Sequence, residues 1–121
     1  MKLVDRIFGW ILIAGSLLHG IGSYLGYRNE PMMLLWALCA SLAALLVGAI
    51  NQLRASRPSD RPVAWIALLG SLAWAIAAFV FGALIGNVFD VRALIHGIAA
   101  LALAAFSVKT LLTPAKVVSS V

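Results

Sequence analysis

The sequence predicts an all-α fold, a bundle of four transmembrane helices, and three observations carry that expectation. Four long apolar runs begin near Val4, Pro31, Val63 and Val91 and fill almost all of the 121 residues. Hydrophobic residues make up 64% of the chain and charged residues 11%, against about 45–50% and about 25% in ordinary soluble domains. Each run also approaches the roughly 20 residues that carry an α-helix, rising ~1.5 Å per residue, across a hydrocarbon core ~30 Å thick. A soluble fold of this length could not cover so much apolar surface. Residues 1–121 are therefore read as a single integral membrane domain.

The first helix is expected over about residues 4–26. Its start, Met1 to Arg6 before an apolar stretch, resembles a signal peptide. The apolar run continues past Gly15 to about Leu25 and holds no clear A-x-A site, so it is read as a retained span. Tyr27-Arg28-Asn29-Glu30-Pro31 breaks the chain, with Asn29 as the expected cap and Pro31 in the first turn of a second helix over 32–53. The longest polar stretch runs from Asn51 to Pro62; it contains Arg54, Arg57, Asp60 and Arg61 and reads as the middle loop. A third helix follows over 62–86, and Asn87 to Asp90 joins it to a fourth over 91–112, with Asp90 as N-cap. Pro114 stops that helix.

Charge sets the expected orientation. Lys2, Arg6, Arg54, Arg57, Arg61, Lys109 and Lys116 fall on one side, against Asp5 and Asp60. Arg28 and Arg92 fall on the other, balanced by Glu30 and Asp90. The positive-inside rule then places both termini in the cytoplasm, N-in and C-in, in a cell (inner) membrane. The net charge of +5 does not imply nucleic acid, because the basic residues sit at the ends of the spans, where anionic headgroups lie. Trp10, Trp36 and Trp65 are expected at the interfaces and Trp74 between helices. The one cysteine, Cys39, reads as an inert core residue.

A weak internal repeat is visible. Trp10-Ile11 and Gly15-Ser16-Leu17 recur at the same spacing as Trp65-Ile66 and Gly70-Ser71-Leu72, and Ala43-Ala44-Leu45 recurs as Ala99-Ala100-Leu101. The pattern suggests a tandem duplication of a helical hairpin. Gly22-x-x-x-Gly26 and Gly82-x-x-x-Gly86 are small-residue motifs suited to close helix contact, within the chain or between copies.

The candidate chemistry lies in two histidines, His19 and His96, both inside predicted spans. Ionisable groups there are costly and point to function. Counting along the helices puts both ~6–9 Å outward of the midplane, in the matching contexts Leu18-His19-Gly20-Ile21 and Ile95-His96-Gly97-Ile98. Ser16, His19, Gly20, Ser23 and Gly26 form one stripe of the first helix, opposite Ala14, Leu18, Ile21 and Leu25. On the fourth helix, His96 shares a stripe with Arg92, Ala99, Ala100, Leu103 and Ser107.

Three uses fit a pocket lined by this pair. Haem b would take both imidazoles as axial ligands, with Arg28 and Arg92 near its propionates, although helix axes ~8–10 Å apart leave little room. A quinone would need only one or two hydrogen bonds, from histidine with Ser23 or Tyr24; a metal on His19 and His96 would need further ligands. A proton relay ranks last, since no carboxylate lies deep in a span. The sequence holds no catalytic triad, phosphate loop or dinucleotide fingerprint, and the expectation is a non-enzymatic electron-transfer or anchor subunit, alone as a homo-oligomer or in a larger membrane complex. The alternatives are a small oligomeric transporter or channel, or a structural subunit in which the histidines only bond helices together.

Overall fold

Each apolar run folds as one unbroken helix. The computed structural model describes residues 2–113, and its elements are α1 (Lys2–Tyr27), α2 (Pro31–Ser56), α3 (Arg61–Leu84) and α4 (Val91–Leu112). All four are long and apolar enough to cross a membrane. Pro114 and Lys116 lie outside the described residues. Consecutive helices are antiparallel neighbours; α1 packs most extensively on α2 and α3 on α4, and α1 and α3 stand at opposite corners.

The helix ends follow local chemistry. Asp60 caps α3 by accepting from Val63 N at 3.2 Å, and Asp90 caps α4 by accepting from Arg92 N at 2.9 Å. Arg92 also grips the Asp90 carboxylate through Nε and a terminal nitrogen at 2.9 and 3.0 Å, which pulls the Asp90 pKa down to about 2. Two expectations are corrected here. The residue before α2 is Glu30 rather than Asn29, and its side chain makes no capping bond. Helix α3 ends at Leu84 because Gly86 adopts φ +73°, which lets Asn87 N bond back to the Gly82 carbonyl at 2.9 Å.

With no hydrophobic force between helices in lipid, close backbone approach holds the bundle. The small residues that provide it are not those of the first Gly-x-x-x-Gly motif: a Cβ on Gly22 or Gly26 would meet nothing within 4 Å. The contacts form instead at Gly48, where a Cβ would stand 2.6 Å from Ile13 Cγ1 and 3.2 Å from the Gly9 carbonyl oxygen, and at Gly97, where it would strike the Phe79 ring at 2.6 Å. Gly82 is likewise closed, 3.1 Å from Ala93 Cβ. Buried positions are mostly alanine, among them Ala44, Ala64, Ala67 and Ala100, while Leu18, Ile21, Leu25, Leu46, Ile76 and many other large aliphatics face outward. Cys39, expected in the core, is on the outer surface; with α2 turned on Ala44, Gly48 and Asn51, residue 39 falls off the buried stripe. Trp10 and Trp65 are both exposed and Ser16 and Ser71 both fully buried, so matched positions of the sequence repeat share the same environment.

Gly48→Val should destabilise the bundle by about 1–3 kcal/mol through overpacking, whereas Gly22→Ala should change stability by less than ~1 kcal/mol. Detergent-titrated unfolding followed by far-ultraviolet circular dichroism measures both.

Candidate functional site

Two polar layers cross the bundle, one at each end. In the layer nearer the α1–α2 and α3–α4 turns, α1 supplies His19 and α4 supplies His96, and their ring centroids stand 6.5 Å apart with the planes at 69°. The stripes described above bring them together: Ser16 and Ser23 are buried on α1, and Ala99, Ala100, Leu103 and Ser107 on α4. Both rings are half-buried, so each keeps an edge at the bundle surface.

Trp74 of α3 completes this cluster. Its indole Nε1 donates to His96 Nδ1 at 3.2 Å, and the two rings meet edge-on with centroids 5.8 Å apart. An indole nitrogen only donates, so Nδ1 is the acceptor and the neutral His96 ring carries its proton on Nε2. That nitrogen is turned toward α1, where a Cβ added at Gly15 would lie 2.9 Å from it. A metal ligand needs the opposite arrangement, a bare nitrogen facing the ion with the other N–H held by an acceptor. Among the described residues, no group of three or more His, Cys, Asp or Glu side chains is placed to hold a metal ion.

The remaining candidates are not all gathered at the pair. Ser23 is buried, one turn beyond His19 on the same stripe. Tyr24 is 57% exposed and faces away from the bundle interior. Arg28 lies exposed in the turn after α1. Arg92 is bonded to Asp90, and its guanidinium carbon stands 5.4 Å from the centre of the Phe81 ring.

The layer at the other end holds what the sequence reading missed. Arg54, expected in the middle loop, belongs to the last turn of α2, points inward and is 1% exposed. It forms a buried ion pair with Asp5 of α1. Its Nε donates to Asn51 Oδ1 at 3.2 Å and a terminal nitrogen donates to Thr110 Oγ1 of α4 at 3.1 Å. Asn51 Nδ2 in turn donates to Ser71 Oγ of α3 and to the Val47 carbonyl, both at 2.9 Å. Ser107 Oγ donates to the Leu103 carbonyl at 2.9 Å and lies 3.4 Å from Asn51 Oδ1. One network thus joins all four helices. A signal for it was present: Ala44, Gly48, Asn51 and Arg54 follow one another at helical spacing, as do Asp5, Gly9, Leu12 and Ser16. Leu12 and Leu103, both essentially inaccessible, occupy the middle of α1 and α4 between the two layers.

Comparison with known protein families, with characterised proteins and with solved structures finds no match to this chain.

Removing one partner of the ion pair, by Asp5→Ala or Arg54→Ala, should cost about 3–5 kcal/mol, and the paired change Asp5→Leu with Arg54→Met should recover most of it; the same unfolding titration reads these differences. Nitrogen-15 NMR of labelled histidine should show His96 protonated on Nε2 alone, and Trp74→Phe should convert it to a mixture of the two tautomers.

Proposed function

We propose that this chain is a small membrane anchor protein whose outer histidine layer holds the headgroup of a lipid-soluble quinone, serving electron transfer within a larger membrane complex. The observation that carries this reading is the Trp74–His96 hydrogen bond. It fixes the proton of His96 on Nε2, beside the Gly15 carbonyl of α1, and a quinone carbonyl would share or displace that acceptor. His19, 6.5 Å away between ring centres, supplies a second polar contact, and the half-buried rings are reachable from the acyl-chain region. The same bond argues against haem b, since axial ligation would need the Nε2 lone pair of His96.

The orientation that suits this role is N-in and C-in, with the histidine layer in the outer half of a cell membrane, following the excess of Lys and Arg at the opposite end. The shared exposure of Trp10 with Trp65 and the shared burial of Ser16 with Ser71 support an origin by duplication of one helical hairpin. Open Gly22 and Gly26 on the outer surface of α1 offer a face for another membrane helix. The inaccessible Leu12 and Leu103 between the layers weigh against a transport path.

One observation favours a second reading, a purely structural layer: His96 is wedged between Trp74 and Gly15 and so links α4 to both α3 and α1. Binding separates the two. A short-chain ubiquinone added to the purified protein should raise its unfolding temperature saturably, and His96→Gln or His19→Ala should abolish that rise while the fold persists. No rise in the native protein would establish the structural reading. A Soret band in protein produced with ample haem, lost in the same variants, would establish haem b instead.

A further inference from the structure

A neutral imidazole has one donor and one acceptor. In His96 both are engaged: Nδ1 accepts from Trp74 Nε1 at 3.2 Å, and the protonated Nε2 meets the Gly15 carbonyl of α1. His19 spends its N–H on the Ala37 carbonyl of α2. Its second nitrogen is therefore a bare lone pair, and no donor faces it among the described residues. That lone pair is not sealed off either. The one buried side-chain nitrogen or oxygen left without a partner among the described residues is Gln52 Oε1, on another helix near the opposite end of the bundle.

Ser23 is the second uncommitted group. It is 5% exposed, yet its hydroxyl makes no hydrogen bond within the described residues. Other serines of the bundle are committed: Ser16 Oγ donates to the Ile13 carbonyl at 2.7 Å, Ser107 Oγ to the Leu103 carbonyl at 2.9 Å, and Ser41 Oγ to the Ser16 carbonyl. Ser23 follows His19 by four residues, so the two side chains are neighbours on one face of α1. A hydroxyl buried in an apolar setting without a partner costs free energy that a ligand recovers by bonding to it. Space beside it is free, since a Cβ on Gly22 or Gly26 would meet nothing within 4 Å.

A lone pair next to a hydroxyl does not suit a carbonyl. A quinone oxygen can accept from Ser23, but it turns its own lone pairs toward His19, and to reach the N–H of His96 it must displace the Gly15 carbonyl. The O–H of a quinol meets both vacant groups at once. We propose that the site selects the reduced form, a quinol, with His19 accepting its O–H hydrogen and Ser23 donating to the same oxygen. This rests on the quinone reading and names the redox form that binds. His96 and Trp74 keep their mutual bond and hold the ring wall in place.

The test titrates the full chain in detergent with a short-chain ubiquinol kept reduced under dithionite. Parallel titrations use the ubiquinone without reductant and the quinol dimethyl ether, which keeps the ring and has no O–H. The midpoint of the rise in unfolding temperature should fall at about tenfold lower concentration for the quinol than for either other ligand, the worth of about one hydrogen bond. Ser23→Ala should weaken quinol binding severalfold, with helix content unchanged by circular dichroism. Nitrogen-15 NMR should show the unprotonated nitrogen of His19 shifting with the quinol and staying in place with the ether. Equal or tighter binding of the quinone would overturn the selection of quinol and leave the quinone reading intact, whereas no rise with any of the three ligands would remove both. A shift at His96 instead of His19, or native quinol affinity in Ser23→Ala, would overturn the assigned contacts. An equal rise with decanol would overturn the quinol as ligand, because any hydroxyl would then serve.

Discussion

The buried guanidinium of Arg54 is the constraint on which the bundle depends. A charge removed from water at the end of an apolar helix is tolerated only when its donors find acceptors, and here those acceptors come from different helices: Asp5 from α1, Asn51 from α2 itself and Thr110 from α4. Asn51 passes the network on to Ser71 of α3. The side chains that satisfy one cation therefore fix the relative rotation of all four helices at that end. Because α2 must reach Arg54 in helical form, it also fixes where the α2–α3 loop starts.

That rotation decides what happens at the far end. Turning Asp5 inward on α1 puts Leu12, Ser16 and Ser23 on the buried side at successive turns, with His19 at its edge. Turning Ser107 and Thr110 toward α2 likewise puts Leu103, Ala100 and His96 on the inner side of α4. The two imidazoles meet because the helices that carry them are indexed elsewhere. The close contacts at Gly48 and Gly97 then lock the hairpins at short range, where dispersion replaces the missing hydrophobic drive.

Much of this was legible in the residues. The number of helices follows from the apolar runs, and the stripes on α1 and α4 follow from helical periodicity, so the convergence of His19 and His96 could be read before any coordinates. The Asp5–Arg54 pair could not be read in the same way, because the same signs that mark a solvated end also mark a buried pair: a carboxylate in a first turn, an arginine in a last turn, a polar stretch beyond. Only the register of Arg54 with Asn51, Gly48 and Ala44 separates the two. The indole of Trp74 was placed between helices, but its partner depends on how far α3 slides along α4, which periodicity does not encode. Gly22 and Gly26 show the converse: spacing alone nominated a contact, and the rotation imposed by Asp5 turned those glycines outward.

The two polar layers also differ in chemical character. The Arg54 layer is charged, fully enclosed and internally satisfied through side chains of every helix, which is how a polar group stabilises a bundle in lipid. The histidine layer is neutral and half-open; the Trp74 indole sets the proton of His96 on one nitrogen, backbone at Gly15 and Ala37 receives His96 and His19, and ring edges remain at the surface. A layer built only for cohesion gains from enclosure, because an exposed imidazole edge in hydrocarbon keeps part of its desolvation cost with nothing in return. An imidazole that is oriented but not enclosed suits a ligand arriving from the lipid, since its donor is fixed beforehand and little ordering entropy is lost on binding. The contrast between the layers makes Asp5 and Arg54 the centre of cohesion and is what the proposed role of His19, His96 and Trp74 draws on.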